Sequence, residues 1–416
     1  MRADHTVNEP VADARRLVER IWRQAVDAVD PAERVLRSLQ GSERPTHVLA
    51  VGKAAVAMSR GAHAQFGAVT GLAVSADERA PAPNLVHVIG DHPLPGNRSL
   101  EAGTQAVELV QALGEEHHLL VLLSGGASAL MELPQPGITI SHIRDTTVHL
   151  MHAGADIEEL NTVRTHLSVL KGGGLARLAG PARVTTLAMS DVIDDPPHVI
   201  GSAPTVPTAT SPKEALDILD EYDLRDVIKG DVITTLESQA GTRYSLEAGD
   251  YRIVANMADV ANAAASAARA AGLSASILTT RLAGEAREAA PGAIRRALAA
   301  DTDISLLAGE TTVTVQGDGV GGRSQEAALA GAIYIAGRPD IVFLAAGTDG
   351  KDGPTPAAGG IVDGGSVERV GSVSEARAAL ERNDSATWLA AAGDQLVTGP
   401  TGTNVGDLWV IWTHRS

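Results

Sequence analysis

The chain has 416 residues, which is too many for a single hydrophobic core, so we expect two domains. It has 44% hydrophobic and 20% charged residues, as globular proteins do, and its net charge of −17 argues against nucleic acid as the main partner. It contains no cysteine, which excludes disulfides, thiolate zinc sites and cysteine nucleophiles.

No apolar run is long enough to cross a bilayer, and the N-terminus lacks the apolar stretch of a secretory signal. We therefore predict a cytoplasmic protein without a membrane partner, and the absence of cysteine fits a reducing compartment. A homodimer is compatible with the sequence, which does not fix the oligomeric state.

Short apolar strands alternate with helical segments in the first half of the chain, which is typical of a mostly parallel sheet. We expect strands at 46–52, 71–75, 85–89, 119–123 and 184–189, and helices at 11–40 with a break at Asp30-Pro31, 54–66, 97–113, 141–179 and 213–221. A polar stretch at 228–250 predicts the domain boundary near residue 240, which gives domains of residues 1–240 and 241–416.

The second half predicts another α/β domain, the smaller of the two. We expect it to begin with the strand YRIVAN at 251–256 and to contain helices at 257–271, 284–300, 324–337 and 374–381. The stretch ISLLAGETTVTVQGD predicts two strands separated at Gly309-Glu310, and we interpret residues 347–360, GTDGKDGPTPAAGG, as a loop.

The segment VLLSGGASAL is typical of a strand, a turn and a helix, with the turn at Ser124, Gly125 and Gly126. Ligands of open α/β sheets bind at the carboxyl ends of strands, and the N–H groups of a helix N-terminus suit phosphate or carboxylate. Glycines allow close approach to the backbone, and Ser124 and Ser128 add hydroxyl donors. An ordinary tight turn is the alternative.

Basic side chains accompany several such turns. In VGKAA, Lys53 lies in the first turn of a helix, where its charge is unfavourable unless an anion lies nearby. In NTVRTHLSVLKGGGLA, Arg164 and Lys171 share a helical face that ends at three glycines, which favours a ligand-facing turn over a solvated face. His92, in DHPLPG after another strand, is a further candidate.

Gly317, Gly319 and Gly322 match G-x-G-x-x-G between a strand and a helix, a pattern typical of dinucleotide binding. Arg323 follows at once, however, and the first acidic residue at a following strand end, Asp349, comes later than that pattern requires. We therefore interpret the loop as one that presents Arg323 to an anion. A nicotinamide-dependent enzyme is the alternative.

Acidic and hydroxyl residues follow other strands. Asp191 ends a strand in LAMSDVIDDPP, where a carboxylate can bind Mg²⁺ or accept a hydroxyl proton. Glu310 lies between the two strands predicted in ISLLAGETTVTVQGD, and Thr348 and Asp349 follow the strand at 341–346. These four are binding candidates, with structural turns as the alternative.

Six segments carry a resemblance to a known family: LLSGGASAL, GADIEELNTVRTHLSVLKGGGLA, SDVIDDPPHVIGSAPTVPTATSP, GETTVTVQGDGVGGRSQEAALA, AAGTDGKDGPTPAAGG and TGPTGTNVGDLWV. They resemble the glycerate 2-kinase family, whose C-terminal part is called the MOFRL domain and whose members are often mislabelled as hydroxypyruvate reductases. The similarity extends over nearly the whole chain in the same order.

The resemblance implies ATP- and Mg²⁺-dependent phosphorylation of D-glycerate at its 2-hydroxyl, which gives 2-phospho-D-glycerate. It also implies a Rossmann-like N-terminal domain, a smaller α/β C-terminal domain and an active site in the cleft between them. By motif, the family's active-site lysine, SDV aspartate and GGR arginine correspond to Lys53, Asp191 and Arg323, which are our catalytic candidates.

Four positions depart from the usual family motifs. SGPT is replaced by SAPT, with Ala203 in place of glycine, and GGRNQE has Ser324 in place of asparagine. KGG is followed by Gly174, and TDG by Lys351. An NAD(P)H-dependent hydroxypyruvate reductase and a non-catalytic sensor of small sugar acids are the alternative functions.

We expect in-line transfer of the ATP γ-phosphoryl group to glycerate. Lys53 and Arg323 would stabilise the transferring group from different domains, which would require a hinge motion, and Asp191 would orient or deprotonate the 2-hydroxyl.

The turn at 124–128 would bind phosphate or the glycerate carboxylate, and Arg164 and Lys171 would complete this anion site. Mg²⁺ would be carried by ATP, with Asp191, Glu310 and Asp349 as candidate ligands.

Overall fold

The computed structural model describes residues 9–76, 78–239 and 249–414, which form two compact units. The first unit comprises Pro31–Met189 and Asp195–Val254, and the second comprises the described parts of Met1–Asp30, Ser190–Asp194 and Ala255–Ser416. The boundary predicted near residue 240 lies outside the described residues. Within the described ranges, every helix is too short or too polar to cross a bilayer.

A six-stranded sheet forms the centre of the first unit. Its strands are β1 (His47–Val51), β2 (Thr70–Ser75), β3 (Leu85–Ile89), β4 (His118–Leu123), β5 (Arg183–Met189) and β6 (Asp250–Ala255). Their order is β3-β2-β1-β4-β5-β6, and the pairings from β3 to β5 are parallel. The order reverses between β1 and β4, and crevices that bind ligands in such sheets lie at the carboxyl ends of the strands at this point.

Helices cover this sheet and form a second core beside it. The helices of the first unit are α2 (Pro31–Ser38), α3 (Ala55–Phe66), α4 (Asn97–Gln111), α5 (Ala127–Leu130), α6 (Ile140–Ala153), α7 (Ile157–Leu167), α8 (Gly174–Leu178), α9 (Pro212–Glu221) and α10 (Gly230–Gln239), after α1 (Glu9–Ala28) of the second unit. The break predicted at Asp30-Pro31 is confirmed. Asp156 begins α7 by accepting the N–H groups of Glu158 and Glu159.

The second unit contains a mixed six-stranded sheet. Its strands are β7 (Ala275–Leu282), β8 (Ile304–Gly309), β9 (Ile341–Gly347), β10 (Gly359–Asp363), β11 (Gln395–Leu396) and β12 (Asp407–Thr413), in the order β11-β10-β9-β12-β8-β7. Because β12 runs antiparallel to both β8 and β9, its first residue, Asp407, pairs with their last residues, Gly309 and Gly347. This register brings three strand ends together at one edge.

The helices of the second unit, in addition to α1, are α11 (Met257–Ala270), α12 (Ala286–Ala299), α13 (Arg323–Tyr334), α14 (Ser366–Val370), α15 (Val373–Glu381) and α16 (Ser385–Ala392). Helix α13 is buried along most of its length against β9, β10 and α12. A Cβ on Gly331 would lie 2.4 Å from the Phe343 ring, so glycine is required for this close packing.

Several elements differ from the prediction, and the segment expected to be helical at 141–179 forms the three helices α6, α7 and α8. The strand YRIVAN, expected to open the second domain, is β6 and forms the edge of the first sheet. Helix α10 lies in the stretch interpreted as polar, where Val232 and Leu236 join the core built by α6, α7 and α9. Strand β10 lies at the end of the predicted loop and continues to Asp363; its pairing with β9 is long-range and leaves no local pattern.

The second strand predicted in ISLLAGETTVTVQGD is wrong, whereas the first is β8. Alternating Thr and Val suggested a ladder, but Glu285 accepts the backbone N–H of Thr314 at 3.0 Å and its hydroxyl at 2.7 Å. A carboxylate thus replaces a strand partner, and Val315 is 72% exposed.

We predict opposite effects of alanine at two helical glycines of the second unit. Gly292→Ala in α12 should raise the free energy of unfolding by about 0.5–1 kcal/mol, because alanine favours helix and its Cβ would meet open space. Gly331→Ala should lower it by about 1–3 kcal/mol, because the added Cβ overlaps the buried Phe343 ring. Urea unfolding measures both, and equal shifts would contradict the packing of α13.

His166 predicts a loss of stability in acid. Burial lowers the pKa of this α7 side chain to about 4, and the opposing effect of Glu214 is smaller. Because the unfolded chain binds this proton more readily, the stability due to neutral His166 is present above about pH 6.5 and is lost as the pH falls towards 4.

Between pH 7 and pH 4.5, the part of the acid-induced loss due to His166 should be about 2 kcal/mol, and it should disappear in His166→Gln. Urea unfolding at pH 7 and pH 4.5 measures it, with His152→Gln, an exposed histidine of α6, as the matched control. An equal loss in wild type and His166→Gln would refute this origin.

Candidate functional site

The turns after β1 and β4 are fastened to each other at the point where the sheet order reverses. The backbone N–H of Lys53 donates to the Gly125 carbonyl oxygen at 2.9 Å, and that of Ala54 donates to the Ser124 hydroxyl at 3.0 Å. Gly52 has a φ of +124°, and a Cβ there would lie 2.2 Å from the Ser124 Oγ. The Ser124 hydroxyl therefore serves the fold and is fully buried.

Gly126 lies where two further side chains approach the same turn. Its φ is +82°, and a Cβ there would lie 3.2 Å from the His92 ring and 3.4 Å from the Lys53 side chain. The structure thus brings Lys53 and His92 to the turn at 124–128. Within that turn, the N–H groups of Ser124 and Ala127 already donate to backbone carbonyls.

A buried charge cluster adjoins Ser128, and we name it the 128/164 cluster: Ser128, Glu132, Arg164, Ser168 and Lys171. Lys171 forms an ion pair with Glu132 and donates to the Ser128 carbonyl oxygen at 3.1 Å. Ser168 donates to the other Glu132 oxygen at 2.5 Å, and Arg164 donates to the Ser128 hydroxyl at 2.6 Å. Glu132 is fully buried, and Lys171 is 3% exposed.

The 128/164 cluster holds two cations and one carboxylate. Burial lowers the pKa of Arg164, and the Glu132 carboxylate only partly offsets this. Burial also lowers the pKa of Lys171, again with Glu132 acting in the opposite direction. Uncompensated buried charge is unfavourable, so the cluster is suited to an anion. Lys171 contributes its positive charge to the cluster from its position at the Ser128 carbonyl oxygen.

Arg323 is the centre of a second group of candidates, at the edge where β8, β9 and β12 meet. Its guanidinium donates to both Asp407 oxygens, at 2.8 and 3.0 Å, and to Glu310 at 2.5 Å. Burial alone would lower the pKa of Arg323, but Asp407 and Glu310 raise it above its ordinary value. Asp407 is fully buried, whereas the Glu310 side chain is 39% exposed.

The N-terminus of α13 is occupied by a carboxylate of the protein. Asp352 accepts the backbone N–H groups of Ser324 at 3.1 Å and Gln325 at 2.8 Å. Burial raises the pKa of Asp352 to about 6, against the effect of the Gln325 N–H. A dinucleotide site would need these N–H groups for pyrophosphate, so the arrangement argues against one here.

The glycines of the loop at 317–322 have a packing reason. Cβ atoms on Gly317 and Gly319 would lie 2.3 and 2.6 Å from the Arg382 carbonyl oxygen, and one on Gly322 would lie 2.4 Å from Asp352. The G-x-G-x-x-G match therefore reflects close approach to the chain itself. No observation favours the nicotinamide alternative.

Asp191 belongs to the second unit and lies against the loop that precedes β12. The Asn404 side-chain amide donates to Asp191 Oδ2 at 2.7 Å. Thr348 holds the same loop, because its buried hydroxyl donates to the Gly406 carbonyl oxygen at 2.7 Å and accepts the Val405 N–H at 3.0 Å. Thr348 is thus placed as a structural support.

Asp349 and Asp407 flank the end of β9. Their Oδ1 atoms lie 3.4 and 3.5 Å from where a Cβ on Gly347 would be. Among the described residues, no three histidine or acidic side chains converge as a metal site. Asp191, Glu310 and Asp349 therefore do not form a closed metal cage of their own.

The candidates fall into two groups, one in each unit. The first contains Lys53, His92, Ser124, Gly125, Gly126, Ser128, Arg164 and Lys171, and the second contains Asp191, Glu310, Arg323, Thr348 and Asp349. Sequence reasoning missed the partners Glu132, Asn404 and Asp407. Glu132 is a single acid in the apolar LMELP, and Asp407 a single acid before LWVIW, which are the available signals.

Comparison with known proteins gives consistent matches along the chain. A family described as a domain of unknown function, DUF4147, matches residues 17–237, and the MOFRL family matches residues 304–407. A Thermotoga maritima protein named D-glycerate 2-kinase is 36% identical over 95% of this chain and 97% of that protein. A crystal structure described as a glycerate kinase from the same organism has a TM-score of 0.86 at 35% identity, covering 97% of this chain and 100% of that one.

A protein of Agrobacterium vitis named putative hydroxypyruvate reductase is also 36% identical, over 96% of this chain and 94% of that protein. It shares the same full-length similarity, and the family resemblance implied that such a name would occur among relatives. The chain belongs to the glycerate 2-kinase family, whose C-terminal part is the MOFRL domain.

Proposed function

We propose that this protein transfers the γ-phosphoryl group of ATP to the 2-hydroxyl of D-glycerate, which yields 2-phospho-D-glycerate and ADP. The observation that carries this proposal is the excess of buried positive charge in the 128/164 cluster, beside the Lys53 turn at the reversal of the sheet order. The names of the full-length relatives point to the same reaction.

In the proposed step, the 2-hydroxyl oxygen forms a bond to the γ-phosphorus while the bond from that phosphorus to the β–γ bridging oxygen breaks. The hydroxyl proton passes to the Asp191 carboxylate. Such transfers depend mainly on positioning and on neutralising charge, so fixed cations and a fixed carboxylate are the parts required.

We propose Lys53 and Arg323 as the cations for the transferring group. Arg323 is held in direction by two bonds to buried Asp407. Its remaining bond is to Glu310, whose carboxylate is partly exposed. An incoming phosphoryl oxygen can therefore replace Glu310 as the partner of Arg323 without leaving a buried carboxylate unpaired.

Magnesium fits this site as a companion of the nucleotide. Mg²⁺ usually binds one or two carboxylates together with substrate phosphates, and we propose Asp349, Glu310 and Asp191 as the candidate carboxylates. The ion would neutralise phosphate charge, while Lys53, Arg323 and Asp191 position the reacting groups.

We predict that Lys53→Ala lowers kcat about 10²–10³-fold with little change in thermal stability, because a preorganised charge at the transferring group is lost. The matched control is Lys229→Ala, an exposed lysine of the same unit, which should retain wild-type turnover. Lys53 is a cleaner test than Arg323, whose removal would leave buried Asp407 unpaired.

Glycerate-dependent ADP release and NMR identification of the product measure this activity. Wild-type turnover in Lys53→Ala would reject the role of Lys53. NADH oxidation with hydroxypyruvate, in place of ADP release with glycerate, would reject the kinase proposal.

A further inference from the structure

Ser202 is a buried residue to which the reaction above gives no task. It ends the 3₁₀ turn Ile200–Ser202 with a φ of 58°, and Ala203 follows with a φ of 52°. Residues other than glycine adopt this left-handed conformation at a cost, and such residues concentrate at functional sites. Glycine would adopt this conformation at a lower cost, so the serine side chain is expected to have a role of its own.

The backbone and the side chain of Ser202 make separate contacts. The carbonyl oxygens of Ser202 and Ala203 accept the N–H groups of Gly172 at 3.1 Å and Gly173 at 2.8 Å, which holds the turn after Lys171. The Ser202 hydroxyl instead donates to the Ser128 hydroxyl at 2.8 Å. A glycine at 202 would keep the backbone contacts and lose only the second one.

With the hydrogen bond from Ser202, both acceptor positions of the Ser128 hydroxyl oxygen are occupied. A hydroxyl accepts two hydrogen bonds and donates one, and the Ser128 Oγ already accepts from Arg164 at 2.6 Å and from Ser202 at 2.8 Å. Its own proton must therefore point away from both. Among residues 9–76, 78–239 and 249–414, no acceptor for this proton is found.

A second donor of the 128/164 cluster also lacks a partner. The buried Nε of Arg164 has none among the described residues. Together with the Ser128 proton, it leaves two donors without acceptors beside an excess of one positive charge. A ligand with a single negative charge and at least one free oxygen satisfies both requirements.

We propose that the 128/164 cluster binds the carboxylate of the acceptor and not the nucleotide phosphates, with Ser202 as the positioning residue that directs the Ser128 proton to a carboxylate oxygen. This assignment rests on the proposed function. A carboxylate neutralises the excess charge of the cluster, whereas a triphosphate would leave several negative charges beside buried Glu132.

The test compares Ser202→Gly with Ala203→Gly in the full chain. Both substitutions place glycine at a left-handed position, and only the first removes a hydroxyl bonded to Ser128. Ser202→Gly should raise the KM for D-glycerate about 10-fold, with the KM for ATP within about 2-fold of wild type. Ala203→Gly should leave both KM values within about 2-fold of wild type.

Analogues identify the group that is bound. Wild type should use D-glycerate at least about 10-fold better than neutral glyceramide in kcat/KM, and Ser202→Gly should narrow this preference. A raised KM for ATP in Ser202→Gly, equal effects of the two glycine variants, or equal use of glycerate and glyceramide by wild type would each overturn the proposal. If Ser202→Gly melts early, Ser202→Ala repeats the measurement with the Cβ retained.

Calorimetric titration with D-glycerate alone separates this inference from the kinase proposal. Binding that weakens about 10-fold in Ser202→Gly supports the carboxylate site even if wild type shows no ATP-dependent turnover. Normal turnover in wild type, together with unchanged glycerate affinity in Ser202→Gly, would overturn the role of Ser202 and leave the kinase proposal intact.

Discussion

Two fully buried carboxylates, Glu132 and Asp407, each hold one basic side chain of the two candidate groups, Lys171 and Arg323. A carboxylate taken out of water is stable only when a cation and hydrogen-bond donors surround it, so each of these acids fixes a partner permanently. Glu132 holds Lys171 and the donor Ser168, and Asp407 holds Arg323 through two bonds. A strongly acidic chain thereby keeps a few cations in defined directions.

The two groups differ in how their charges balance. In the 128/164 cluster, Arg164 and Lys171 share one carboxylate, which leaves an excess of positive charge. Around Arg323, Asp407 and Glu310 leave an excess of negative charge, and one of the two carboxylates is partly exposed. The first arrangement suits a small anion, and the second suits a cation whose exposed partner, Glu310, can be exchanged for phosphate.

Glycine has two distinct uses in this chain. At Gly52 and Gly126, left-handed or otherwise unusual backbone brings Lys53, His92 and Ser124 together. At Gly317, Gly319 and Gly322, the absence of a side chain admits neighbouring segments of the protein. The same glycine-rich pattern therefore gathers candidate residues in one unit and admits neighbouring segments in the other, and only the surrounding residues distinguish the two uses.

Local patterns predicted most elements because strands and helices leave a periodic signal within a few residues. They failed at 311–315, where the Glu285 side chain supplies the backbone partner, and at β10, whose pairing with β9 has no local trace. They also assigned β6 to the second domain, since the sequence of an edge strand does not indicate which sheet it joins.

The sequence by itself determined the fold class, the family and the charged residues at the ends of strands, because motifs and hydrophobic periodicity are properties of adjacent residues. Only the tertiary structure decided which side chain is the partner of each of these acids. The pairs Glu132–Lys171, Asp407–Arg323 and Asn404–Asp191 span 39, 84 and 213 residues, and pairing over such distances depends on strand register and burial rather than on spacing.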